Sequence, residues 1–414
     1  MAFIKIASLY LIGQMSKNLK SRALKLILLF GIVSLFGDIV YEGARSINGQ
    51  YLQMLGASAF VVGLIAGLGE FFGYGLRLFS GYFSDKTKAY WFFTILGYSL
   101  LASVPLLALS NFWQLAAFLI IIERIGKAIR NPARDALMSQ AAKKVGTGWG
   151  FAVHEFLDQI GALLGPILIA FILGLSFTSK TIAEYQHAYS LLWLPFVFLM
   201  VFLVAAYFLS KNQKFEKKVR KERGKLSIIF WYYLLFTFST TFGFLNFVFL
   251  GYHFKAAKIL PDLQIPLLYA GAMIADAFFA LFVGKIYDVL KTKKKNKKAG
   301  LFTLITIPLL SLIIPLLVFS SSFYVVLIGI LVWGAVLGAH ETIMRAAIAD
   351  ITPVNRRGTA YGIFNAAYGF SAFLGSSILG FLYEHVFCWL ATFVVLVQVI
   401  AIVIFAFIQL KLRE

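Results

Sequence analysis

Asp38, Glu42 and Arg45 stand at i, i+4 and i+7, a spacing that puts two carboxylates and a guanidinium on one face of a helix. Glu123, Lys127, Arg130 and Arg134 follow at i, i+4, i+7 and i+11 with Arg124 beside them, and His154 and Asp158 at i and i+4 enclose Glu155. Glu70 and Arg77 complete the set in the first half. Groups of this kind form ion pairs, carry protons or bind a charged solute. All of them interrupt apolar sequence, where a charge costs ~2.5–3.5 kcal/mol on insertion scales unless it meets a partner or a polar cavity. The second half is sparser. Asp276 is its one acid at mid-depth, Glu341 and Arg345 stand at i and i+4, and Asn246 offers neutral hydrogen bonds. Phe242, Phe244, Phe247, Tyr361, Phe364 and Tyr368 would form an aromatic wall if they face inward.

Two chemistries compete for the acids. In one, Asp38, Glu70, Glu123 and Asp158 neutralise Arg45, Arg77, Arg124 and Lys127 and fix helix packing. In the other, an acid without a firm partner binds and releases a proton. Asp38 or Glu70 is the first expectation for that role and Asp158 the next, whereas Glu123 beside Arg124 reads as a permanently ionised partner. Catalysis finds no support. His154-Glu155 and His340-Glu341 begin like a zinc-protease motif, but positions 158 and 344 hold Asp and Met, so the second metal-binding His is missing. No Gly-x-Ser-x-Gly elbow and no phosphate-binding Gly-x-x-x-x-Gly-Lys-Ser/Thr run occurs. Neither a cofactor nor a metal is expected, and ATP does not drive the protein directly.

The elements that must position these residues are membrane spans. The chain is 60% hydrophobic and only 14% charged, where a soluble protein carries about a quarter charged residues. Its formal charge of +20 would fit nucleic acid only if gathered on one folded face, yet the bases sit between apolar segments. One cysteine, Cys388, excludes an intramolecular disulfide. Segments long enough to cross ~30 Å of hydrocarbon lie at 25–54, 59–84, 89–110, 112–141, 146–175, 187–210, 226–254, 264–289, 299–320, 322–350, 357–383 and 386–410. They describe an all-α membrane protein of twelve transmembrane helices in two six-helix bundles, 25–210 and 226–410, with a segment 1–24 before them and a basic linker 211–225 between. Residues 3–13 read as an interfacial helix, since Lys5 interrupts the apolar run and no cleavage site follows. Most Lys and Arg fall on one side, against Lys180, Lys255 and Lys258 on the other, which places both termini in the cytoplasm. The basic runs 211–225 and 291–298 are positive-inside signals that meet lipid headgroups. Spans 3, 6, 9 and 12 contain no charge and suit lipid, whereas the others can line an aqueous path.

Loop chemistry repeats between the halves. Gly81-x-x-x-Asp85-Lys86 returns as Gly284-x-x-x-Asp288, and Gly146-Thr147-x-x-Gly150 as Gly358-Thr359-x-x-Gly362. Duplication in apolar sequence points to two bundles around a pseudo-twofold axis. Gly81-Tyr-Phe-Ser-Asp85-Lys86 resembles the signature loop of the major facilitator superfamily, and the run Gly126-Lys127-x-x-Arg130-x-Pro132-x-Arg134-Asp135 looks like a bacterial branch of it. The resemblance implies a secondary transporter in a bacterial cytoplasmic membrane, working by alternating access. It also implies a cytoplasmic gate, with Arg134 as partner of Asp85 and Arg345 as partner of Asp288. The expected cargo is a small organic solute, proton-coupled and exported, acting through a monomer among membrane lipids. Proton-coupled uptake, facilitated diffusion and a non-transporting receptor are the alternatives.

Overall fold

The computed structural model describes residues 2–175, 180–210, 226–293, 297–353 and 356–413, with residues 2–19, 144, 147, 297 and 413 as backbone alone. The described residues form helices and no strands. The first bundle contains α1 (Ala2–Arg45), α2 (Asn48–Met54), α3 (Ala59–Thr87), α4 (Tyr90–Ser99), α5 (Trp113–Val145), α6 (Thr147–Gly174), α7 (Ile182–Leu191) and α8 (Trp193–Ser210). The second contains α9 (Ile228–Phe242), α10 (Phe247–Ala256), α11 (Gln264–Lys293), α12 (Thr306–Val318), α13 (Phe323–Ile351), α14 (Arg357–His385) and α15 (Cys388–Arg413). Short 3₁₀ stretches extend α4 to Leu109 and precede α12 from Lys297. Eleven of the resulting rods are long and apolar enough to cross a bilayer. The twelfth crossing, α5, is 33 residues long but carries the densest run of charges. The chain is a multi-pass integral membrane protein.

Observed and expected spans agree to within a few residues, with informative exceptions. Residues 3–13 continue α1 as one helix instead of standing apart. The sixth span starts at Ile182, where Thr181 and Glu184 form a capping box. The first and seventh spans are each broken. Between α1 and α2 the interruption falls at Ser46–Ile47, and between α9 and α10 at Gly243–Asn246. Asn246 caps α10, its side-chain oxygen accepting from the Val248 amide at 2.9 Å. Trp333 donates its indole N–H to the carbonyl that the break exposes on Leu245, at 2.7 Å. The basic linker expected at 211–225 lies outside the described residues, as do residues 294–296.

The bundles meet along pairs related by the repeat: α3 against α14, α6 against α11, and α2 against α10. Small residues permit the approach. A Cβ on Gly63 would collide with the Ser376 carbonyl, and one on Gly49 would overlap the Val248 carbonyl. Both contacts lie towards the face opposite the one carrying Lys86, Lys88 and Lys291. The charge-free spans stay outside. Phe92, Leu96, Leu194, Val201, Phe208, Leu309, Leu316, Val403 and Phe407 are exposed, which in water would be a liability and in a bilayer is solvation.

Candidate functional site

Between the bundles a cavity of about 850 Å³ opens to the basic face. A chamber of about 60 Å³ continues its closed end into the interior. Helices α1, α3, α5, α6, α11, α13 and α14 line the cavity, each supplying residues at helical spacing. Asp38, Glu42 and Arg45 of the α1 pattern and Lys127, Arg130 and Arg134 of the α5 pattern line the cavity, whereas Glu123 does not.

The acids and bases of the first bundle divide into two classes. One is a closed ladder. Glu42 and Arg45 lie 3.8 Å apart, Arg45 and Glu70 3.3 Å, Glu70 and Arg124 3.1 Å, Arg124 and Glu123 3.7 Å, and Glu123 and Arg130 4.0 Å. Glu42 also accepts a 2.6 Å hydrogen bond from the Tyr269 hydroxyl, which ties α11 of the second bundle to the ladder. Tyr41 fills its centre, hydrogen-bonded by Arg124 and with the Lys127 ammonium 3.9 Å from its ring centroid. Buried charges of both signs in such a ladder fix α1, α3 and α5 to one another.

The second class consists of groups with no ion pair among the described residues. Asp38 and Asp276 both line the cavity, one from each bundle, and neither makes a hydrogen bond or ion pair with the other described residues. The charges that bear on Asp38 are Asp158 from α6, Lys127 and Arg130 from α5, and Glu42 on its own helix. Those bearing on Asp276 are Glu341 from α13, Glu42 and Arg45 from α1, and Glu155 from α6. Asp158 accepts a hydrogen bond from Ser34. His154 is buried, and its Nε2 has no partner among the described residues. Among those residues Lys127 and Arg77 lack a carboxylate too. Arg77 donates to the Gly73 carbonyl at 2.8 Å and lies 4.4 Å from the Tyr74 ring centroid.

Several expectations are corrected by these contacts. Glu70 has two guanidiniums as partners, so it fails the criterion of an unpaired acid, and Asp38 and Asp276 meet it. Of the four acids expected to neutralise bases, Glu70 and Glu123 do so, while Asp38 and Asp158 do not. Asn246 lines the chamber while committing its oxygen to a helix cap. Phe242, Phe247 and Phe364 pack into the second bundle, against Phe393, Tyr269 and Tyr233 respectively. Phe244 and Tyr368 do face the chamber, and Tyr361 lines the cavity, donating to the Arg345 carbonyl at 2.9 Å. Glu341 and Arg345 line the cavity without an ion pair between them.

The expected gate pairs are not formed. Arg134 pairs with its neighbour Asp135 at 2.9 Å. Asp85, at the cavity mouth with Gly81, accepts from the Tyr90 hydroxyl at 2.7 Å, and Lys86 lies over the Tyr82 ring. In the repeat Asp288 is exposed beyond Gly284, and Asp350 instead receives Lys291 at 2.8 Å and the Tyr287 hydroxyl at 2.8 Å. The opposite face is closed by contacts that the sequence did not announce. Glu384 of α14 accepts from the Ser58 hydroxyl and the Phe60 amide at the start of α3, each at 3.1 Å, and Gln50 donates to the Asp262 carbonyl at 3.4 Å. Tyr41 and Tyr269 were also missed. The signal was present, because Tyr41 stands i+3 from Asp38 and Tyr269 stands seven residues before Asp276.

The family profile described as Major Facilitator Superfamily matches residues 27–340 and 260–414. The chain belongs to the major facilitator superfamily. An uncharacterised protein of Mycobacterium tuberculosis is 37% identical over 397 residues, covering 94% of both chains. An uncharacterised MFS-type transporter of Methanocaldococcus jannaschii is 26% identical over 367 residues, 87% of this chain and 89% of its own. Among solved structures, that of a mutant of the nucleoside transporter NupG superposes with a TM-score of 0.72 over 92% of this chain and 100% of its own, at 12% identity, a likeness of fold. The protein is thus a membrane transporter of this superfamily and not an enzyme, with the all-α fold expected.

Proposed function

We propose that this superfamily member is a proton-coupled secondary transporter that moves a small organic solute across a bacterial cytoplasmic membrane by alternating access. The observation that carries the reading is the pair Asp38 and Asp276, one carboxyl from each bundle, unpaired among the described residues on a single cavity open to one face. A carboxyl in that position exchanges its charge for a proton when the cavity closes around it. The distribution of Lys and Arg supports a cytoplasmic open face, with both termini on that side. The conformation is then inward-open, with Asp85, Lys86, Arg134 and Asp288 parted at the mouth and Glu384, Ser58, Gln50 and Asp262 latching the outer face. Outward opening would exchange these sets, bringing Asp85 to Arg134 and Asp288 towards Arg345. Because the whole cavity lies within one chain, a monomer suffices, and the apolar outer spans are solvated by lipid.

Export by antiport is the second reading, and buried Asp276 favours it: a cationic solute and a proton would occupy that carboxyl by turns. Reconstituted protein tests the function. A pH gradient should drive saturable solute flux, and Asp38→Asn with Asp276→Asn should uncouple it. Flux indifferent to the gradient in the native protein, or coupling intact in both variants, would refute proton coupling at this pair. A solute that binds and is never moved would make the protein a receptor.

A further inference from the structure

We propose that the cargo is an organic anion with a flat unsaturated ring, its anionic group held by Lys127 and Arg77 and its ring placed against Tyr74, Phe244 and Tyr368. This deepens the transporter reading and rests on it. Lys127 and Arg77 line both the large cavity and the chamber beyond it, so they stand where one narrows into the other. The ladder leaves them out. Glu70 serves Arg45 and Arg124, Glu123 serves Arg124 and Arg130, and Glu42 serves Arg45, while among the described residues neither Lys127 nor Arg77 makes an ion pair: Lys127 lies over the Tyr41 ring, with Glu42 and Asp38 bearing on it from beyond ion-pair distance, and Arg77 lies over the Tyr74 ring and donates to the Gly73 carbonyl. Arg45 adds a buried Nε with no hydrogen-bond partner among the described residues. Around the chamber stand four bases, Arg45, Arg77, Arg124 and Lys127, against three acids, Glu42, Glu70 and Glu341.

Unpaired acids also face the cavity, so the sign of the cargo needs an argument. A carboxyl left without a partner neutralises itself by taking a proton, whereas a guanidinium keeps its charge at any pH a protein meets. Asp38 and Asp276 can therefore be relieved by protons alone. Arg77 keeps its charge, has no ion pair among the described residues, and gains from an anion in the cavity. Flat contact comes from Tyr74 and Tyr368, whose ring centroids lie 4.7 Å apart beside Arg77, and from Phe244, which stacks on Trp333 at 5.6 Å. A cavity of about 850 Å³ accommodates such a solute with room for water.

The arrangement also sets the direction of coupling. Asp38 faces Lys127 and Arg130 from α5 and Asp158 from α6, with Glu42 on its own helix. A proton on Asp38 removes a negative charge that competes with the cargo for Lys127, so proton and anion bind cooperatively, and by linkage each favours the other. They would travel together, which under an inward proton gradient is uptake.

A matched panel on the purified full chain tests this. Benzoate, benzamide and benzylamine, with 2-naphthoate, 2-naphthamide and 2-naphthylmethylamine, are compared by thermal shift and by calorimetric binding. Carboxylates alone should stabilise the protein, more strongly at mildly acidic than at mildly alkaline pH. Lys127→Gln and Arg77→Gln should each weaken carboxylate binding at least about tenfold, the loss of one charge-assisted contact, with Lys127→Arg recovering part of it. Stabilisation by amines or by amides alone, no stabilisation by either carboxylate, or carboxylate binding that ignores both substitutions overturns the proposal. Carboxylate binding without flux would instead remove the transporter reading and leave the site. Saturable flux of an amine would keep the transporter and remove the anion.

Discussion

Replacing Glu70 by Gln removes a carboxylate shared by two guanidiniums of the ladder while keeping the size of the side chain. Arg45 lies 3.3 Å and Arg124 3.1 Å from it, and Glu70 is only 9% exposed in its side chain. Breaking a buried pair costs about 3–5 kcal/mol, because a charge is left without compensation. Here both guanidiniums keep a second acid, Arg45 having Glu42 at 3.8 Å and Arg124 having Glu123 at 3.7 Å. The cost should therefore fall near the lower end, about 3 kcal/mol, against less than about 0.5 kcal/mol for a site without partners. At a few degrees per kcal/mol, Glu70→Gln should lower the Tm in detergent by about 5 °C or more. Asp38→Asn, which breaks no ion pair among the described residues, should leave Tm within about 1 °C and remove the pH dependence of flux. The assay is a paired measurement on the same preparations, with flux normalised to folded protein. If Glu70→Gln were as stable as the native chain and abolished proton coupling, while Asp38→Asn left coupling intact, the division into ladder and carrier would be wrong.

Glu384→Gln weakens a carboxylate hydrogen-bonded at 3.1 Å to both Ser58 and Phe60; a cap of this kind is worth about 1 kcal/mol, so outer-face accessibility to a thiol reagent at an introduced cysteine should rise severalfold. Gly63→Val would drive a side chain into the Ser376 carbonyl, and since the clash belongs to the closed outer face, cross-linking of that face should fall sharply with the protein still folded by thermal shift. Asp350→Asn frees Lys291 and Tyr287 together; a partly exposed ion pair contributes about 1 kcal/mol or less, so Tm should change by no more than about 2 °C.

Eleven of the crossings were legible because hydropathy and length report directly on a ~30 Å barrier, while α5 is set apart by its charges. The same signal was blind to the breaks at Ser46–Ile47 and Gly243–Asn246, since a helix interrupted over a few residues stays apolar. Asn246 illustrates the consequence: a residue read only as a solute contact is also the cap that restarts α10. Within the cavity, helical spacing identified which charges of α1 and α5 share a face, but partner choice is a matter of distances between helices. Glu70 and Asp38 look alike in sequence, and only the approach of α3 to both α1 and α5 gives one of them two guanidiniums. The outer latch was unreadable for the same reason, because Ser58 and Glu384 are 326 residues apart. The gate pairs inferred from the signature loop are not formed in this structure, where Arg134 pairs with Asp135 and Asp85 accepts from Tyr90.

Alternating access of the cavity is tested most directly by double electron–electron resonance on the chain with Cys388 replaced by Ser. One spin-label pair would span the mouth at positions 86 and 288 and another the outer face at 56 and 259. Two distances are expected for each pair, with conditions that shorten the first lengthening the second. A single unchanging distance at both faces, or both faces opening together, would rule out a pathway exposed to one side at a time.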